Sequence, residues 1–429
     1  MSDYLPTEVL LEILVRLPAK SLVRFSCVSK SWYFLIFSPD FNFMYTQFTS
    51  TINKDKPAQI MIRNYSRTYG KEMFTMHNDD MSFGDYQILD CPFKSTYGYL
   101  LDVIGSCNGL VCLTDRNVPM NRGWYATESP IPTPKPIFLW NPSLGISMNL
   151  PLIGDAFNRV VLGLGFDSIN FDYKVVRIEF CYGAVCEIDI FRLSEDSWRR
   201  FGGKRKVGFP SYYDMRSPQA FVNGNINWIG CYIEEDEEEI TCKTLIVATF
   251  DVGKEVFGDL EVPKELETGG DDEFQLSLVV LHKSLSLIRY EDGEYPCFNR
   301  CCIWMMHEYG VAESWTKMYT ISPYNGFSRT LNIRTNGELL LVTSNGGLVS
   351  FDPESRSIRQ LKVYGEQFSF VVGTYMESLV LSEGFSRILL QAAFSKATPH
   401  DKARGNYSVI KPSRLKRNRI WKNSNNQRD

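Results

Sequence analysis

Phe138-Leu139-Trp140-Asn141-Pro142, leading to Ser147-Met148-Asn149-Leu150-Pro151, is an apolar strand closed by an aromatic, a polar turn, and a second short strand. The phrase returns as Ile188-Asp189-Ile190-Phe191 with Asp196-Ser197-Trp198-Arg199, and as Ala248-Thr249-Phe250-Asp251 with Leu260-Glu261-Val262-Pro263. Two further copies are Cys302-Ile303-Trp304-Met305 with Glu313-Ser314-Trp315-Thr316-Lys317, and Val349-Ser350-Phe351-Asp352-Pro353 with Ser357-Ile358-Arg359-Gln360-Leu361. The aromatics stand at 140, 191, 250, 304 and 351, so the intervals are 51, 59, 54 and 47. Repeats of roughly 40–50 residues with four short strands each are the spacing of propeller blades.

Asn108-Gly109, Asn223-Gly224 and Asn336-Gly337 supply a second spacing, 115 and 113 residues, or two blades at each step. Asn-Gly readily adopts the positive φ angles that a type I′ hairpin turn demands. Strand-like runs are left over at both ends: Gln59–Ile62 and Tyr86–Leu89 before the repeats, Phe368–Val372 and Ser378–Leu381 after them. Pairing the two sets adds a blade and removes exposed sheet edges. The expected fold is therefore mainly β, a propeller-like domain of about six blades. Five or seven blades, or a flat sandwich with irregular insertions, are the alternatives.

Outward from the repeats, the amino end changes period. Val9, Leu10, Ile13, Leu14 and Leu17 recur at helical spacing and form one apolar stripe. Pro6 suits a first turn and Pro18 a helix stop. Leu22, Phe25 and Val28 face a second helix, and Ser29 caps a third that ends at Ser38-Pro39-Asp40. Helices this short fall below the roughly 12–15 residues that are even marginal alone in water. Their apolar faces must pack on the rest of the chain or on a partner.

Leu5-Pro6-x-Glu8, Ile13-Leu14-x-x-Leu17-Pro18, Ser21-Leu22-Val23-Arg24-Phe25, Cys27-Val28-Ser29-Lys30-x-Trp32 and Ile36 resemble an F-box. The resemblance implies docking on the Skp adaptor of a Skp–cullin–F-box (SCF) ubiquitin ligase, through Leu5, Pro6, Ile13, Leu14, Pro18, Leu22 and Val23. It gives Trp32 an internal role, locking the third helix. The repeats are similar to the plant type 1 F-box-associated domain. The matching phrases are Ser106-Cys107-Asn108-Gly109-Leu110-Val111, Trp140-Asn141-Pro142-Ser143, Gly163-Leu164-Gly165-Phe166-Asp167 with Asp172-Tyr173-Lys174-Val175-Val176-Arg177, Asn223-Gly224-x-x-x-Trp228, and residues 303–317. The chain resembles plant F-box proteins that limit immune-receptor levels and, more distantly, the S-locus F-box group. It is kelch-like only loosely, because Gly202-Gly203, Gly269-Gly270 and Gly346-Gly347 do not head the kelch aromatic series. The implied division is an F-box at 1–47, a linker at 48–57, the propeller-like domain at 58–385 and a basic, disordered tail at 386–429.

Composition narrows the chemistry. With 429 residues, 44% hydrophobic and 22% charged, the chain has the makeup of a globular protein. The net charge of −4 gives no bulk attraction to nucleic acid. Residues 396–429 hold ten Lys/Arg against two Asp, a balance of +8, so the remainder carries −12. Lys416-Arg417-x-Arg419 resembles a short nuclear-import signal, which leaves cytoplasm and nucleus both open. Eleven cysteines with no C-x-x-C pair and no signal peptide fit free thiols in a reducing compartment. No apolar run reaches membrane-spanning length. Four histidines, without HExxH, GxSxG or a P-loop, suggest neither an enzyme nor a metal or cofactor site.

The expected role is a non-catalytic substrate receptor. The F-box would hold a Skp-family adaptor, and through it cullin and RING subunits, while the propeller captures an unidentified protein for ubiquitination and degradation. Rivals are a Skp-bound scaffold outside a ligase, and a glycan-binding or hydrolytic propeller with carboxylates and an aromatic platform in its channel. Glu234–Glu239 and the stretches Arg116–Pro136, Gly202–Ser217 and Leu266–Glu273 read as exposed loops, some on one rim.

Overall fold

The computed structural model describes residues 6–50, 58–382 and 415–417, apart from 67, 82, 84–85, 96–99, 116–134, 154–158, 182–183, 203–206, 209–218, 236–239, 267–275, 292–297 and 323–325. Four helices come first: α1 (Thr7–Leu14), α2 (Ala19–Phe25), α3 (Lys30–Ile36) and α4 (Pro39–Ser50). Pro6 and Pro18 are the N-caps of α1 and α2, and Ser29 accepts the Trp32 N–H at 3.2 Å to cap α3. The stop expected at Ser38-Pro39-Asp40 is also a start. Ser38 Oγ accepts the Phe41 N–H at 3.1 Å, Pro39 occupies the first turn, and Phe41 and Tyr45, one turn apart, are buried.

The body is a six-bladed β-propeller. Strands β1 (Gln59–Ser66), β2 (Lys71–Asn78) and β3 (Tyr86–Leu89) begin blade 1. Blade 2 holds β4 (Leu101–Cys107), β5 (Leu110–Asp115), β6 (Ile137–Asn141) and β7 (Ile146–Asn149). Blade 3 holds β8 (Arg159–Asp167), β9 (Asp172–Cys181), β10 (Ala184–Arg192) and β11 (Ser197–Arg200). In blade 4, β12 (Val207–Gly208) and β13 (Ala220–Val222) both pair with β14 (Asn225–Glu235), followed by β15 (Ile240–Asp251) and β16 (Val256–Glu261). Blade 5 is β17 (Leu276–Leu281), β18 (Ser284–Glu291), β19 (Arg300–Met306) and β20 (Trp315–Ile321). Blade 6 is β21 (Phe327–Ile333), β22 (Leu339–Thr343), β23 (Gly347–Phe351) and β24 (Ile358–Tyr364). Then β25 (Val371–Tyr375) returns to pair antiparallel with β1, Met61 opposite Gly373, and becomes the inner strand of blade 1.

Closure thus uses both ends of the domain, as expected, but the details differ. The carboxy-terminal run Ser378–Leu381 is not a strand: its carbonyls at Ser378 and Val380 bond the Asn141 side chain instead of a ladder. A further strand, β26 (Leu415–Arg417), pairs with β7 on the outer edge of blade 2.

The recurring phrase is the third strand, the turn and the fourth strand of blades 2 to 6. Trp140, Phe191, Phe250, Trp304 and Phe351 each pack into the seam with the preceding blade, where apolar residues of two blades form one cluster. Blade 1 has a sixth ring at the same place. His77, penultimate in β2 as Trp140 is in β6, is buried against Phe83, with Nδ1 2.9 Å from Phe83 O. Burial pushes its pKa down. Outer strands are stapled too: Trp198 Nε1 donates to Pro151 O, and Trp315 Nε1 to Glu261 O.

The three Asn-Gly pairs each connect the first and second strands of blades 2, 4 and 6. Asn108-Gly109 and Asn223-Gly224 have both φ angles positive, as a type I′ turn requires. At Asn336-Gly337 only the glycine does, because that loop runs from Arg334 to Glu338. Among the cysteines, Cys231 is disulfide-bonded, a departure from the all-thiol expectation. Cys27, Cys91, Cys107, Cys112, Cys301 and Cys302 are free.

Candidate functional site

Propeller strands alternate in direction, so the connections between them sort onto two faces. One face carries the first-to-second and third-to-fourth turns, most of them short, such as 108–109, 142–145, 168–171, 223–224 and 282–283, and none longer than 307–314. The F-box seats here, on blades 2 and 3. Leu14, Ala19, Leu22, Ile36, Phe37, Phe41 and Tyr45 share one hydrophobic core with propeller residues such as Leu110, Leu139, Leu164 and Phe191. Phe43 of α4 meets Phe171 edge-on, ring centroids 6.4 Å apart.

This seating divides the expected adaptor-facing residues. Leu14 and Leu22 are closed to solvent, at 1% and 0% exposure, because they fill that shared core. Ile13 is 46% exposed, and Val9, one turn before it on α1, 43%. Pro6 and Pro18 are exposed, Val23 is half-buried, and Leu5 lies outside the described residues. Trp32 packs edge-on against Phe25 at 5.8 Å, the internal contact expected of it. Phe25, Val28 and Phe34 add exposed apolar surface. The motif pointed to the stripe but not to which of its members the propeller covers.

The opposite face carries the second-to-third and fourth-to-first connections. Strand ends Asp115 and Ile137, Glu235 and Ile240, Arg200 and Ala220, and Glu261 and Leu276 all lie there. These flank the four stretches read as loops, two of which the structure corrects in part: Glu234 and Glu235 end β14, and Val207-Gly208 form β12 against it, while residues 116–134, 203–206, 209–218, 236–239 and 267–275 lie outside the described set. The acidic run and all three longer stretches are therefore anchored on the face away from the F-box.

Between the faces, the inner strands enclose a cavity of about 190 Å³ lined by Arg63, Ser106, Gln219, Arg329, Asn332 and Thr374 among apolar neighbours. Its lining has no Asp, Glu or His, so a carboxylate pair is not among its lining residues; its aromatics are Phe221 and Phe370. Among the described residues no group of His, Cys, Asp and Glu could hold a metal ion, and no helix is long and apolar enough to cross a membrane.

Ionisable groups with shifted pKa values belong to the framework. In the Gly163–Arg177 phrase, Asp167 caps its turn by accepting from Ile169 N and Asn170 N at 2.9 Å. Buried Lys174 bridges Asp167 Oδ2 at 2.7 Å, Glu255 Oε1 at 2.8 Å and Val252 O at 2.8 Å, tying blade 3 to blade 4. Burial alone would raise Glu255, but Lys174 and Arg192 outweigh it and hold its carboxyl at about 2. Asp172 is the reverse: burial pushes it up to about 6 against hydrogen bonds from Ser194 and the Tyr173 N–H. In the tail, Lys416 and Arg417 lie on β26, opposite Ser147 and Ile146; Arg419 lies outside the described residues.

The two modules match two known domain families. The F-box domain family matches residues 3–44, and the family described as an F-box associated beta propeller domain matches residues 59–382. The chain belongs to this family of F-box proteins with an F-box-associated β-propeller. It is similar to F-box protein CPR1 of Arabidopsis thaliana, 27% identical over 398 residues, covering 88% of this chain and 89% of that one. An F-box/kelch-repeat protein of the same plant is 26% identical over 395 residues, covering 84% and 94%. Among solved structures, TolB from Acinetobacter baumannii aligns with a TM-score of 0.41 at 10% identity, over 77% of this chain and 70% of its own, too distant to bear on function. The family and the two-module build support a substrate-recognition role in general.

Proposed function

We propose that this chain is the substrate-recognition subunit of an SCF ubiquitin ligase. The F-box holds a Skp-family adaptor, and through it cullin and RING subunits; the propeller captures a protein target. The observation that carries the reading is the division of labour between faces. Short turns seat the F-box, whose Val9 and Ile13 stay open, while the long connections are anchored on the face opposite. Rigid scaffolds commonly present binding residues on such connections. The chain then supplies proximity rather than bond chemistry, raising the local concentration of target lysines near the charged conjugating enzyme.

The test is Val9→Asp with Ile13→Asp in the full chain. Both positions are exposed, so circular dichroism and melting should be unchanged, while co-purification with a Skp-family adaptor falls at least about tenfold, since exposed apolar contacts become desolvated charges. Undiminished capture removes the ligase reading. We also propose that the tail directs part of the protein to the nucleus; a Lys416→Ala, Arg417→Ala variant that distributes as wild type rejects that.

A further inference from the structure

We infer that residues 376–382 are a strap that locks the F-box and propeller into one rigid body, with Glu377 as its positioning residue. The strap lies between the two modules. Toward the F-box, Glu377 Oε2 accepts the Ala19 N–H of α2 at 2.8 Å and the Tyr45 O–H of α4 at 2.9 Å. Tyr45 Oη also lies 3.2 Å from Leu17 O, but its single proton goes to the shorter, charge-assisted bond. Burial and the adjacent Glu377 carboxylate push the Tyr45 pKa far up, so the phenol remains a donor.

Toward the propeller, the strap is gripped by the turn of blade 2. Asn141 Nδ2 donates to Ser378 O at 3.0 Å and Val380 O at 2.7 Å, and Ser143 Oγ accepts the Ser378 N–H at 3.2 Å. Gly109 leaves room: a Cβ there would sit 2.5 Å from Ser378 Cβ and 2.6 Å from Met376 O. Leu379, Val380 and Leu381 are buried in the core that also holds Leu14, Leu22 and Phe41. The Trp140-Asn141-Pro142-Ser143 and Asn108-Gly109 phrases thus receive the strap, and the strap receives the F-box.

The strap directly follows β25, the strand that closes the ring, so the F-box is seated only when closure has delivered Glu377. If the proposed ligase role holds, on which the consequence rests, the lock fixes the vector from the open F-box strip to the far face. A swinging F-box would spread a captured target over a larger volume and lower its effective concentration.

Hydrogen exchange on the free full-length chain tests the lock without any adaptor or target. In Glu377→Ala, amides of α2 and α4 should exchange at least about tenfold faster, the scale of losing bonds to a charged acceptor. Strands of blades 4 and 5 should be unchanged. Glu377→Gln, whose amide oxygen can accept both bonds, should restore most of the protection. Tyr45→Phe, which keeps the ring and removes one donor, should loosen α4 in the same direction. Unchanged helical exchange in Glu377→Ala overturns the inference, as does uniform acceleration across all blades, which would make Glu377 a contributor to global stability only. Adaptor capture is scored separately: Glu377→Ala should retain it, so losing the lock and losing the ligase reading are distinct results.

Discussion

Lys174 shows how a single residue can be read correctly as part of a family phrase and still have its work hidden. Its ammonium is buried across the seam between blades 3 and 4, and its removal would leave the Asp167 carboxylate without a cationic partner. Breaking a buried ion pair from one side costs about 3–5 kcal/mol, so Lys174→Met should lower unfolding stability by that much in urea titrations. Asp172 gives a pH-dependent counterpart. Its folded pKa of about 6 exceeds the ordinary 3.8, so the folded state holds its proton longer and the associated stability is lost as pH rises through 6. Asp172→Asn should therefore gain about 3 kcal/mol relative to wild type between pH 3.5 and 7, at roughly 1.4 kcal/mol per unit. A constant difference across that range would reject the assignment.

Turns and helices show the same dependence on surroundings at the level of elements. Gly109 and Gly224 are equivalent hairpin glycines with φ of +78° and +76°. A Cβ at Gly224 meets nothing within 4 Å, so Gly224→Ala should cost only the left-handed conformational penalty, about 1–2 kcal/mol. Gly109→Ala should cost distinctly more and loosen the F-box as well, because its Cβ collides with the strap; equal melting points for the two variants would contradict this. In the F-box, Leu14→Ala and Leu22→Ala should each destabilise by about 2–5 kcal/mol, as buried leucines do. Neither is a clean probe of adaptor binding, whereas exposed Ile13 is. Helices of seven and eight residues lean on the propeller for stability, and α4, with buried Phe41 and Tyr45, joins the same core.

The whole molecule is held by its closure. Pairing of β25 with β1 covers the edge of β1, completes blade 1 at four strands and delivers the strap beneath the F-box. Deleting residues 371–382 removes both at once. The shortened chain should lose its cooperative melting transition and aggregate through the uncovered edge of β1, a result light scattering during thermal ramps would show. A soluble, cooperatively melting product would mean that the ring tolerates an open seam.

Blade number, closure from both ends, the amino-terminal helices and the family were all legible in the chain, because each leaves a periodic record. An aromatic recurs once per blade, and apolar residues return at helical spacing. Periodicity does not record which neighbour covers a given apolar side chain. Leu14 and Ile13 are adjacent in sequence and alike in chemistry, yet one is sealed and the other open, because only the seating of α1 on blades 2 and 3 decides it. His77 breaks the aromatic period because an imidazole serves as the sixth ring, and Ser378–Leu381 mimics a strand because burial demands the same residues in a strap. Sequence fixes what must be hidden from water; the tertiary structure chooses what hides it, since burial is a property of pairs of surfaces and not of a residue alone.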